Sequence, residues 1–187
     1  SPTLSSATTT TDSGTSTTTT SPTAVTAGSV VEGDTGKKIL TFAVIPTNGT
    51  DQTMTVDFAT IAGASARPNI DFTVVSGTVV FPPETTDPQY ITVEVMANKR
   101  HQPTHPFFVR LANPIAALVD GIDTEADILD DDPIPSMSVS DVTVGESATG
   151  AVNAVINVTM SNDTDDAVTV DFATAPGTAL DGVDYIG

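Results

Sequence analysis

Acidic side chains are the residues of this chain best suited to chemistry: 24 Asp and Glu stand against 6 Lys and Arg, a formal net charge of −18. Carboxylates are hard oxygen donors, and a surface this negative attracts cations while disfavouring nucleic acid and anionic membranes. Three of them run together as Asp130-Asp131-Asp132. A short acidic run is by itself no more than a solvated strand end, so what matters is which acids are brought together. The basic residues Lys37, Lys38, Arg67, Lys99, Arg100 and Arg110 all lie between 37 and 110.

Other chemistries find little support. His101 and His105 have the four-residue spacing of a helical zinc pair, but Pro103 and Pro106 oppose a helix and no third ligand is evident, so both read as loop histidines. Cys is absent, which removes disulfides and thiolate metal sites. There is no Gly-x-Ser-x-Gly elbow, phosphate loop or zincin motif. Asp57 and Asp171 recur, but each faces outward in a strand pattern and reads as a structural repeat position rather than a catalytic acid. The sequence points away from an enzyme.

The elements that position the acids follow from an internal repeat. Val56-Asp57-Phe58-Ala59-Thr60 returns unchanged as Val170-Asp171-Phe172-Ala173-Thr174, an offset of 114 that Glu32 and Glu146 share. Asp71-Phe72 and Asp184-Tyr185 keep the interval within one residue. Around these anchors apolar residues alternate: Met54, Val56 and Phe58; Ile91, Val93 and Val95; Phe107, Val109 and Leu111. Period two puts one face of a strand on a core and the other in water. Asn48-Gly49, Gly63 with Pro68, Gly77, Pro82-Pro83, Pro103 with Pro106, Asn113-Pro114 and Gly121 punctuate the runs. Short strands so spaced, rich in Val, Ile and Thr, indicate an all-β, immunoglobulin-sized sandwich.

The chain divides accordingly into a Ser/Thr-rich low-complexity tail or linker at 1–23, a complete sandwich at 24–133 and the N-terminal part of a second at 134–187. An O-glycosylated stalk is the sharper reading of the tail. Asn48-Gly-Thr, Asn157-Val-Thr and Asn162-Asp-Thr are weak N-glycosylation patterns. The second copy reaches only the counterpart of the Phe72 region, and half a sandwich leaves an open apolar face and unpaired edges. No apolar run approaches the roughly 20 residues of a membrane span. A start at Ser1 reads as a processed or excised piece.

These residues resemble the Calx-beta repeat of sodium/calcium exchanger regulatory domains and microbial surface and adhesion proteins. The ordered matches are Val31-Glu32-Gly33-Asp34, Val56-Asp57-Phe58-Ala59-Thr60, Asp71-Phe72, Gly77-Thr78-Val79-Val80-Phe81, Phe107 to Pro114 and Asp130-Asp131-Asp132. The resemblance implies tandem seven-stranded sandwiches whose loops at one end gather carboxylates around calcium. It assigns Glu32, Asp71, Asp130, Asp131 and Asp132 as metal ligands in the first copy and Glu146 and Asp184 in the second. Calcium-binding members carry an Asp pair and two Glu before the Phe-Phe-Val strand. Here those positions are Ala97-Asn98, Gln102 and His105, and Lys99 and Arg100 enter the same loop. Calcium affinity follows ligand charge, so a reduced, weak site is expected, with Lys99 or Arg100 neutralising residual acids.

The expected function is an extracellular or cell-surface structural and adhesive module of a tandem array, its partners being neighbouring repeats or subunits and calcium, without nucleic acid or membrane insertion. Asp132-Pro133-Ile134-Pro135 gives a semi-rigid connector. A calcium-sensing regulatory module and a subunit of a strand-complemented filament are the alternatives, and an accessory module on a secreted hydrolase is a further one.

Overall fold

The computed structural model describes residues 22–25, 28–119 and 123–187. Most of the Ser/Thr-rich segment and the expected turn at Gly121 lie outside them. The described residues hold strands and turns but no helix, hence none long and apolar enough to cross a membrane. They fall into two compact units, one running through Asn98 and then Thr104–Asp131, the other comprising Lys99–Pro103 with Asp132–Gly187.

The first unit is a sandwich of two sheets. One has the strand order β6(Gln89–Met96), β3(Lys37–Pro46), β1(Pro22–Val25), β8(Leu118–Val119); the other runs β2(Gly28–Val31), β9(Asp123–Leu129), β7(His105–Ile115), β4(Met54–Ala62), β5(Ser76–Phe81). That is nine strands among the described residues against the seven implied by the resemblance, because β1 and β2 belong to different sheets and the two-residue β8 is added. The alternation is realised: Ile91, Val93, Val95, Phe107, Val109 and Leu111 are buried, as are Phe42, Val44, Met54, Val56, Phe81 and Ile128. Phe107 stacks on Phe72 with centroids 4.6 Å apart and meets Phe42 edge-on at 6.0 Å. Apolar burial contributes about 25 cal/mol per Å² removed from water, and here it fixes the ends of β7 and of the loop holding Phe72.

The outer face of the five-stranded sheet carries a polar ladder. Asp57 accepts from Thr78 Oγ1 on β5 (2.6 Å) and Asn113 Nδ2 on β7 (3.0 Å), and Arg110 forks onto Asp123 at 2.7 and 2.8 Å. Asp57 is thus an outward strand position that ties three strands together.

The second unit contains β10(Met137–Val139) paired antiparallel with β11(Val158–Met160). The loop Lys99–Pro103 is strapped into this unit: His101 N–H donates to Asp163 O (3.0 Å), Asp165 N–H to His101 O (3.0 Å), and Arg100 pairs with Asp165 at 2.8 Å. The second Val-Asp-Phe-Ala-Thr motif forms no strand here, and its Phe172 is 93% exposed. In the first unit the same five residues lie between β5 and β7. Among residues 132–187 nothing equivalent pairs with the second copy, and a strand without partners has no ladder to stabilise it.

Candidate metal centre

Strand register places the first pair of acids. β2 and β9 run parallel with Val30 opposite Ile128 and Val31 opposite Leu129, so both strands deliver their next residues, Glu32 and Asp130, to the same sheet end. Glu32 N–H continues the ladder to Leu129 O at 3.0 Å. The alternation of an extended chain then returns Asp132 to the side of Asp130 and turns Asp131 away. Glu32, Asp130 and Asp132 each bring one carboxylate oxygen within 4.8 Å of the others. Asp131 instead accepts from Gly33 N–H at 3.0 Å, closing the turn after β2.

These three carboxylates are a fitting donor set for one calcium ion. Glu32 is 1% exposed and Asp132 8%, and clustered carboxylate oxygens are the hard donors a divalent cation such as calcium takes. They supply up to six oxygens, against the roughly 6–8 that calcium takes, but they are too few for a cluster of several ions. The Asn98 side-chain amide donates to Glu32 Oε2. Asn98 stands where the resemblance places an acid, and an amide there lowers the negative charge of the site.

Asp71 is organised differently. It closes a turn in which Arg67 N–H donates to Asp71 Oδ2 (2.7 Å), Asp71 N–H to Arg67 O (2.9 Å) and Asn69 N–H to Phe72 O (2.7 Å). Within that turn the Arg67 guanidinium forks onto the carboxylate, Nε to Oδ2 at 3.0 Å and Nη2 to Oδ1 at 2.8 Å. His105 Nδ1 stands 3.3 Å from Oδ2, without hydrogen-bond alignment. Burial pushes the Asp71 carboxyl up, but the Arg67 hydrogen bonds and charge, with His105, outweigh it and hold the group below the ordinary value of 3.8.

His105 is not a loop residue, contrary to what its flanking prolines suggest. It is the first residue of β7 and 3% exposed, on the same inward face as Phe107 two residues on. Gly63 admits that strand: its N–H donates to Pro106 O at 3.1 Å, and a Cβ built there would lie 2.1 Å from the same oxygen. His101 Nδ1 lies 3.1 Å from Asp132 O. Among the described residues neither histidine belongs to a group of potential metal ligands.

In the second unit Glu146 and Asp184 are both exposed, and Asp184 Oδ2 accepts from Leu180 N–H at 2.8 Å. Arg67 was legible only as one of six basic residues. The signal that would have singled it out is its place four residues before Asp71, ahead of a proline, where the second copy has Leu180.

The Calx-beta domain family model matches residues 24–132 and again residues 129–187. The chain belongs to the Calx-beta domain family. Among solved structures this Calx-beta chain is similar to CBD12 from CALX1.2, with 25% identity and a TM-score of 0.51 over 57% of this chain and 43% of that one. It is also similar to the calcium binding domain CBD12 of CALX1.1, at 22% identity and a TM-score of 0.51, covering 66% and 51% of the two chains. It thus spans less than half of the first relative and about half of the second. The apo-form Calx CBD1 domain is 26% identical, with a TM-score of 0.48 over 57% of this chain and 91% of that one. No curated protein matches. The first Calx-beta match runs through Asp132, so the carboxylate triad stands at the end of the first repeat.

Proposed function

We propose that this chain is a non-catalytic, calcium-binding Calx-beta module in which one ion sits on Glu32, Asp130 and Asp132, and that it serves as an extracellular structural or adhesive link in a tandem array. The observation that carries the reading is the convergence of these three carboxylates within 4.8 Å. Family membership supports the choice of ion, and so does the shared fold with CBD12 of CALX1.1, a calcium binding domain. The Pro133-Ile134-Pro135 connector supports a link of limited flexibility. With one ion and few carboxylates, calcium stiffens a strand end rather than reporting small changes in concentration.

Calorimetric titration of the full chain with Ca²⁺ tests the site. The expected result is a binding event lost in Glu32→Gln and in Asp130→Asn. Absence of heat, together with a melting temperature unmoved by Ca²⁺ against chelator, refutes it. Surface labelling of the source cells with an antibody to the chain tests the extracellular placement.

A further inference from the structure

We infer that Arg67 is a resident cation that takes the place of a metal ion at Asp71, and that this residue determines which acids of the first repeat are open to calcium. Protein donors already hold three acceptor directions of the Asp71 carboxylate. Such a group offers about four acceptor directions; Arg67 Nη2 takes one on Oδ1, Arg67 Nε and the Arg67 backbone N–H take two on Oδ2, and His105 Nδ1 stands 3.3 Å from that oxygen. Asp71 is 3% exposed, so water does not compete for these positions. A guanidinium stays charged at every accessible pH and matches a carboxylate in its plane. The turn holds the fork in place: Asp71 N–H donates to Arg67 O, Arg67 N–H donates to the Asp71 carboxylate, and Pro68 stands between them. Accordingly Asp71 does not join the Glu32, Asp130 and Asp132 group.

The second repeat provides an internal control, because it builds the same turn: Leu180 N–H donates to Asp184 Oδ2 (2.8 Å), Asp184 N–H to Leu180 O (2.8 Å) and Gly182 N–H to Tyr185 O (2.7 Å). Gly182 has φ 74°, as Asn69 has φ 60° in the first repeat. The backbone of the turn is therefore independent of the cation, and the residue at the fork position is the variable part. Where the first repeat has Arg67, the second has Leu180, whose side chain brings no charge to the carboxylate. An arginine here commits the aspartate to a protein cation, and a leucine leaves it able to take an external one.

The inference rests on calcium as the ion of the proposed function, and the test separates the two. Arg67→Leu, which gives the first repeat the residue of the second, is compared with the wild-type full chain by calorimetry with Ca²⁺ and by melting in chelator and in millimolar Ca²⁺. In chelator the variant is expected to melt lower, by about 5 °C or more. With Ca²⁺ it is expected to recover more than the wild type gains and to bind one more ion per chain. Adding Asp71→Asn should abolish both increments.

If Arg67→Leu does not fold, Arg67→Lys decides: a point charge without the fork should yield partly to calcium and give a Ca²⁺-dependent melting shift larger than that of the wild type. Calcium stoichiometry and melting shift equal to the wild type in the folded variants overturn the inference. A wild type that binds no calcium refutes the triad site, while the increment between variant and wild type still decides the role of Arg67.

Discussion

Replacing Phe107 by leucine tests the packing that sets Asp71 and His105 side by side. Phe107 is two residues from His105, and Phe72 is next to Asp71; their rings stack at 4.6 Å with an interplanar angle of 11°, and Phe42 meets Phe107 at 77°. Each such aromatic pair is worth about 0.5–1.5 kcal/mol beyond burial. Losing both, with a cavity term for the missing ring atoms, makes Phe107→Leu cost about 2–4 kcal/mol. Alanine would cost about 3–5 kcal/mol from the cavity alone, a large part of the roughly 5–15 kcal/mol typical of a domain, so leucine is the informative change.

The assay is urea unfolding of the full chain followed by circular dichroism. For a slope near about 2 kcal/mol/M, the midpoint of the first repeat should fall by about 1–2 M with the slope unchanged. A double-mutant cycle with Phe72→Leu should show a coupling of about 0.5–1.5 kcal/mol. A Phe107→Leu midpoint within about 0.25 M of wild type, or no coupling to Phe72, would refute the claim that this stack fixes the Asp71 end of the sandwich.

Gly63→Ala is expected to destabilise the first repeat by about 1–3 kcal/mol in the same assay, since its Cβ would lie 2.1 Å from Pro106 O and force one of the two backbones to move. Asp71, held below the ordinary 3.8 in the folded chain, contributes stability that is complete above that value and lost as pH falls through the lower folded value. A melting curve measured against pH should therefore decline below about pH 4, and Asp71→Asn should remove that part of the decline. Asp57 is held low by its hydrogen bonds from Thr78 and then Asn113; Thr78→Val is expected to raise its titration midpoint, read by carboxyl NMR, and no movement would show the ladder bond to be without effect.

Much of the fold was legible because strand alternation is a local property. Ile91, Val93 and Val95 are buried while Thr92 is exposed, as the period of two requires. The outward placement of Asp57 was legible for the same reason. The candidate site was legible only as a set of acids. Nothing in the order of residues says that Asp131 turns to Gly33 while its neighbours Asp130 and Asp132 meet Glu32, because that depends on the register of two strands far apart in sequence. Two prolines commonly mark a loop, but Pro106 sits at the start of β7, a strand position where a missing N–H is tolerated.

By itself, then, the sequence determined the β-sandwich, the tandem repeat and the supply of carboxylates, since side-chain alternation and composition act within a few residues. Tertiary structure decided which carboxylates converge and which already pair with a protein cation. The parallel register of β2 with β9 joins Glu32 to Asp130, and the Arg67 fork takes Asp71. It also gave one five-residue motif two fates, a paired strand at 56–60 and an unpaired segment at 170–174, because a strand exists only with the partners that satisfy its backbone.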